Sequence, residues 1–172
     1  MSSLLSYILS ADFLYMWIRV ATPILFPALG AVICERAGVV NLGLEGIMLI
    51  SALFGVLGSY FFDGLIPGLL VGILASVVIS CIFAYFHLVL HADNVLCGTA
   101  INTLASGLTV FLLELVTGEK GTSASVKSYS FPTVNLPYIQ DIPVVGHILS
   151  GHNLLTYLAI IAVFLVWFFV YK

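Results

Sequence analysis

Four side chains in the apolar parts of this sequence could handle a polar solute: Asn41, Glu45, Asn102 and Glu114. Asn41 and Glu45 stand four residues apart, which puts them on one face if the segment is helical. Gly38, Gly43 and Gly46 surround them, and glycines at that density permit a broken or re-entrant backbone and close helix approach. Interrupted segments at membrane depth line cavities in transporters; the competing reading is a plain turn at the membrane surface. Glu45 is the sharper candidate, because unbroken hydrophobic sequence follows it and an ionisable group in hydrocarbon costs at least ~2.5–3.5 kcal/mol. Asn102 serves equally well as a tie between helices or as a solute contact. Glu114 lies a turn from a polar loop, so a place at the membrane interface accounts for it. All four are candidate pathway residues of a kind that binds a solute without reacting with it.

The other chemistry-bearing residues lead less far. Glu35 and Arg36 are adjacent and close a hydrophobic run, as an interfacial charge pair does. His87 and His91 are spaced for one helix face with Asp93 nearby, but no Glu follows the first histidine as in HExxH, and no metal site is expected. Cys34, Cys81 and Cys97 are an odd number of thiols in or beside apolar runs, which suits small buried side chains rather than a disulfide framework or a zinc site. There is no nucleophile elbow, Gly-rich phosphate loop or paired-carboxylate pattern, so neither catalysis nor ATP hydrolysis is expected on this chain, and no cofactor.

The elements that must position these residues are membrane helices. The 172 residues are 62% hydrophobic and 8% charged, with a mean hydropathy of +1.20. A soluble domain carries roughly 25% charged residues, so this chain could not cover a water-facing surface. The net charge of −3 with no Lys/Arg cluster excludes a nucleic-acid partner; the lipid bilayer is the expected one. A span needs about 20 mostly apolar residues. Five such runs occur, at 13–34, 42–62, 65–90, 95–117 and 154–171, with Pro23 and Pro27 inside the first predicting a kink. Tyr15, Trp17 and Arg19 near its start suit interfacial anchors. The N-terminus lacks a basic region before its apolar stretch and is not a signal peptide. Residues 118–153 are polar and proline-bearing, a surface loop with a short interfacial helix at 144–149. The expected fold is therefore all-α, a polytopic bundle of about five helices in a single transmembrane domain over 1–172, with a turn or re-entrant segment at 36–46.

The runs differ in what they offer their neighbours. In the third, Gly64, Gly68, Gly72, Ser76, Ser80 and Ala84 recur at every fourth position, a small-residue row that admits another helix closely. The fourth carries a polar row at the same spacing, Gly98, Asn102 and Ser106, then Glu114, with Thr99, Thr103 and Gly107 beside it. The fifth has only Thr156, Ala159 and Ala162, and reads as the most lipid-exposed helix.

The stretch ERAGVVNLGLEGIMLI, following ATPILFPALGAVI, resembles the membrane permeases of bacterial ABC importers. Within them it is similar to the branched-chain amino acid, ribose and nucleoside permease family, on the branch associated with nucleoside uptake. ADNVLCGTAINTLASGLTVFLL at 92–113 and the GTS of 121–123 support the resemblance, which covers essentially the whole chain. It implies a multi-pass protein of the bacterial cytoplasmic membrane. It also implies three kinds of partner: a second permease subunit, identical or related, cytoplasmic ATP-binding subunits, and an extracytoplasmic substrate-binding lipoprotein. Asn41, Glu45 and Asn102 match polar motif positions of the family. The resemblance places the N-terminus and the 118–153 loop outside, although Lys and Arg are evenly shared between the two sides. Family members continue well beyond the position of Lys172, so the chain is expected to be the N-terminal half of such a permease.

Other classes remain open on the residues alone. A self-contained secondary transporter or channel would use the same polar residues, but five spans are few for one. A membrane-embedded enzyme would have only His87, His91 and Asp93 to work with. An inactive truncated remnant is the fourth reading.

Overall fold

The computed structural model describes residues 10–118, 122, 126, 129–134 and 150–172. The interfacial helix expected at 144–149 and most of the 118–153 loop lie outside them. Among the described residues, five helices are long and apolar enough to cross a membrane: α1 (Ala11–Arg36), α2 (Leu44–Phe61), α3 (Leu65–Ala84), α4 (Asn94–Thr117) and α5 (Leu154–Tyr171). α3 continues into a π-helical turn, Tyr85–Val89. Two short strands, β1 (Thr133–Val134) and β2 (His152–Asn153), pair antiparallel just before α5.

The helix ends follow local chemistry. Ser10 caps α1 by accepting from the Phe13 N–H, and Arg36 sits in its last turn, where the helix dipole favours a cation. The Asp93 carboxylate accepts from the Val95 and Leu96 N–H groups to open α4, which closes on Gly118 in the left-handed region at φ +71°. α1 runs unbroken through Pro23 and Pro27.

The chain divides into two compact units. In one, α2 packs against both α3 and α4, which scarcely touch each other. Ile50, Leu53 and Leu57 of α2 form its core with Phe83 and Ala105. The α2–α3 contact is close because both helices present small residues. A Cβ on Gly68 would stand 2.8 Å from the Gly55 carbonyl oxygen and from the Ser59 Cβ; on Gly72 it would stand 2.9 Å from the Ser51 carbonyl oxygen. The Ser51 hydroxyl donates across to Gly72 O at 3.2 Å. Of the six-member row, Gly68 and Gly72 make this contact, while Gly64 is the N-cap of α3 and a Cβ there would meet its own Pro67. Ser76, Ser80 and Ala84 are half-buried, and the Ser76 hydroxyl bonds back to Ile73 O.

In the other unit α1 packs beside α5. α5 meets α1 through its few small residues: Thr156 and Ala159 are its buried positions. Phe164, Trp167 and Phe169 are 67%, 62% and 81% exposed, as lipid-facing side chains are. The fifth helix is expected to be the most lipid-exposed, but α1 is less buried than α5, in which Thr156 and Ala159 seat the neighbouring helix.

Candidate functional site

The polar residues of the second and fourth spans meet at a break in the backbone. α1 ends at Arg36 and α2 begins at Leu44. Gly38 adopts φ +85°, a conformation that glycine takes at least cost. Asn41 then accepts from the Gly43 N–H through its Oδ1 at 3.0 Å, an Asx turn that competes with helix formation. Asn41 therefore lies before the helix, and the one-face relation to Glu45 expected from their spacing does not arise. Glu45 is in the first turn of α2, where the dipole favours an anion. It is exposed, and among the described residues it has no hydrogen-bond or ion-pair partner.

The N-cap of α2 is Gly43, which has no side chain to satisfy the first-turn N–H groups. Asn102 of α4 supplies what is missing. Its Oδ1 accepts from the N–H of Gly46, the third residue of α2, at 2.7 Å. That is the bond a capping side chain makes from within its own chain segment; here it comes from 56 residues away. The Asn102 Nδ2 donates to Leu42 O at 2.9 Å, so both polar atoms of the amide hold the same stretch of backbone.

Close approach makes this reach possible. A Cβ on Gly46 would stand 2.8 Å from Ile101 O, and one on Gly98 would stand 2.7 Å from the Leu42 Cβ and 2.9 Å from its carbonyl carbon. One turn earlier, Asn94 donates to Val40 O. Asn94, Gly98 and Asn102 are spaced by four and together hold residues 40–46. Asn94 was not among the residues singled out from the sequence, although it extends the Gly98–Asn102 spacing backward by one turn. Its Oδ1 is buried and has no hydrogen-bond partner among the described residues.

The rest of the polar row on α4 faces outward. Thr99, Thr103, Ser106, Gly107 and Glu114 are exposed. The hydroxyls are satisfied within the helix: Thr99 bonds to Val95 O, Thr103 to Thr99 O and Ser106 to Thr103 O, each at 2.9 Å. That lowers the cost of placing them in hydrocarbon. Glu114 is in the last turn and stands apart from the Asn102 contacts along the helix. His87 lies in the π-helical turn, but His91 is beyond it at φ +52°, so their spacing gives no shared helix face. His87 instead stacks on Phe83, with ring centroids 6.4 Å apart.

Five apolar helices long enough to cross a membrane, with neutral amides securing the backbone break before α2, define a polytopic helical membrane protein. The chain belongs to the family of permease components of branched-chain amino acid transport systems, whose model matches residues 13–172. It is similar to the guanosine ABC transporter permease protein NupQ of Bacillus subtilis, at 36% identity over 98% of this chain and 53% of that protein. It is similar also to the nucleoside ABC transporter permease protein NupC of Lactococcus lactis, at 34% identity over 88% of this chain and 49% of that protein. A Haloferax volcanii protein provisionally named a glucose ABC transporter permease is 34% identical over 95% of this chain and 49% of its own length. The chain spans about half the length of these curated relatives. No solved structure matches it.

Proposed function

We propose that this chain belongs to a permease subunit of an ABC importer that moves nucleosides or related small polar solutes, sugars included, across a bacterial cytoplasmic membrane. The similarity to a guanosine permease over nearly its whole length carries the reading. A second permease subunit completes the pathway, cytoplasmic ATP-binding subunits hydrolyse the nucleotide, and an extracytoplasmic lipoprotein delivers the solute. The chain itself takes no cofactor in this scheme.

Asn41, Glu45, Asn102 and Glu114 are the proposed pathway residues, in two roles. Asn41 and Asn102 shape the wall, since their amides are committed to the backbone of 42–46. Glu45 and Glu114 offer exposed carboxylates. Uptake of radiolabelled guanosine, uridine and glucose is compared with and without the gene, in a strain lacking redundant carriers. Loss of nucleoside or glucose uptake on deletion is the expected result, and unchanged uptake of all three overturns the reading.

A further inference from the structure

A second polar site lies in the α1–α5 unit. A cavity of about 380 Å³ is lined by residues of α1, both strands and the first turn of α5. That volume is within the ~300–1,000 Å³ of small-ligand clefts. Its wall is rigid: the buried His152 ring stacks on Tyr15 at 4.2 Å between centroids, and the Tyr15 hydroxyl donates to Gly151 O at 2.8 Å.

Three donor groups of the lining are uncommitted. Among the described residues Arg19, Thr133 and Asn153 make no side-chain hydrogen bond or ion pair, and Thr133 and Asn153 are directly paired across the two strands. Asn153 is the N-cap position of α5 but makes no capping bond, so the N–H groups of Leu155 and Thr156, which also line the cavity, receive no side-chain acceptor. Among the described residues that line it there is no Asp or Glu, and Arg19 brings a guanidinium. These donors beside a helix N-terminus favour an anion, and a guanidinium fork matches phosphate bidentately.

Depth identifies the source of that anion. Asn153 is the last residue before the apolar helix α5, so the strands mark the edge of the hydrocarbon, where non-helical backbone is tolerated. Arg19 is about 12 Å along α1 from its start, and a helical side chain leans back toward the N-terminus. Both bring the cavity to the level of lipid headgroups. Trp17, Val20 and Ile24 beside Arg19 are 68%, 64% and 61% exposed, a surface for acyl chains.

We propose that Arg19, Thr133 and Asn153 bind the phosphate group of an anionic phospholipid. A zwitterionic headgroup is disfavoured, because its ammonium would find no carboxylate among the described lining residues. The site is independent of the transport reading and stands if that fails.

The test is native mass spectrometry of the chain, purified from its membrane with whatever subunits accompany it, after exchange against phosphatidylglycerol or phosphatidylcholine. The expected result is about tenfold tighter retention of phosphatidylglycerol, lost in R19Q and partly kept in R19K, which preserves the charge without the fork. N153A and T133V, which break no side-chain hydrogen bond among the described residues, lower the preference in part and report on the site even if R19Q does not fold. Equal retention of the two lipids by the parent chain overturns the proposal, as does unchanged preference in N153A and T133V. Binding of inorganic phosphate at millimolar concentration with the same Arg19 dependence, and no lipid preference, overturns the lipid assignment.

Discussion

The hydroxyls of Thr22 in α1 and Thr156 in α5 meet at 3.2 Å, and both residues are buried. Further along the same pair of helices, the Arg36 guanidinium lies 4.8 Å from the centre of the Tyr171 ring. The first and second contacts are separated by nearly equal lengths of both helices in the same sense, so α1 and α5 are parallel neighbours. Two parallel spans begin on one face of the membrane, and an odd number of crossings must separate them. The three apolar helices between them meet that condition.

A cysteine pair at positions 22 and 156, in a background without Cys34, Cys81 and Cys97, is expected to cross-link on oxidation in membranes. The two hydroxyls, each one bond from its Cβ, are already in contact at 3.2 Å. A pair at 22 and 167, which an antiparallel arrangement would bring together, is expected not to. Gel mobility before and after reduction reads both.

Replacing Asn102 by Leu removes both of its bonds and leaves the Gly46 N–H and the Leu42 carbonyl without their partners. The expected loss of stability is about 1–3 kcal/mol, from the cost of unpaired backbone groups. It should exceed the ~0.6 kcal/mol average for a polar contact between membrane helices. Unfolding by SDS titration measures it, and a change below about 0.5 kcal/mol would show that the amide secures nothing.

Gly98 and Gly107 lie on the same helix and separate packing from propensity. An added Cβ at Gly98 meets Leu42 and the Gly43 backbone within 3.0 Å, whereas at Gly107 nothing lies within 4 Å. Gly98→Ala is expected to destabilise by about 1–3 kcal/mol because backbone must move. Gly107→Ala should be neutral or stabilising by up to about 1 kcal/mol. The same unfolding assay distinguishes them.

Glu45 is exposed and without a partner among the described residues, so Glu45→Gln should change stability by less than about 0.5 kcal/mol. If its carboxylate contacts the solute, uptake should fall about tenfold, the loss of one charged hydrogen bond. Unaltered uptake in a stably folded E45Q protein removes Glu45 from the pathway.

The five apolar runs were legible because length and hydrophobicity decide whether a helix can cross a bilayer, and both are properties of the linear chain. The helices lie close to the expected runs, differing by a few residues where Ser10, Asp93 and Gly118 act as caps. The family resemblance, too, was carried by residues contiguous in sequence. Spacing misled where the backbone departed from a helix. Asn41 and Glu45 do not share a face, because an Asx turn from Asn41 to Gly43 comes between them, and His91 lies past the end of its helix.

What only the tertiary structure decided is the partner of each polar group. Nothing in the order of residues says that Asn102 caps a helix 56 positions earlier, or that Arg19 shares a cavity with Thr133 and Asn153. A polar side chain in an apolar helix must be satisfied, and sequence states that obligation without naming who meets it. The answer depends on which glycines let two backbones come within reach, and that is settled only when the helices pack.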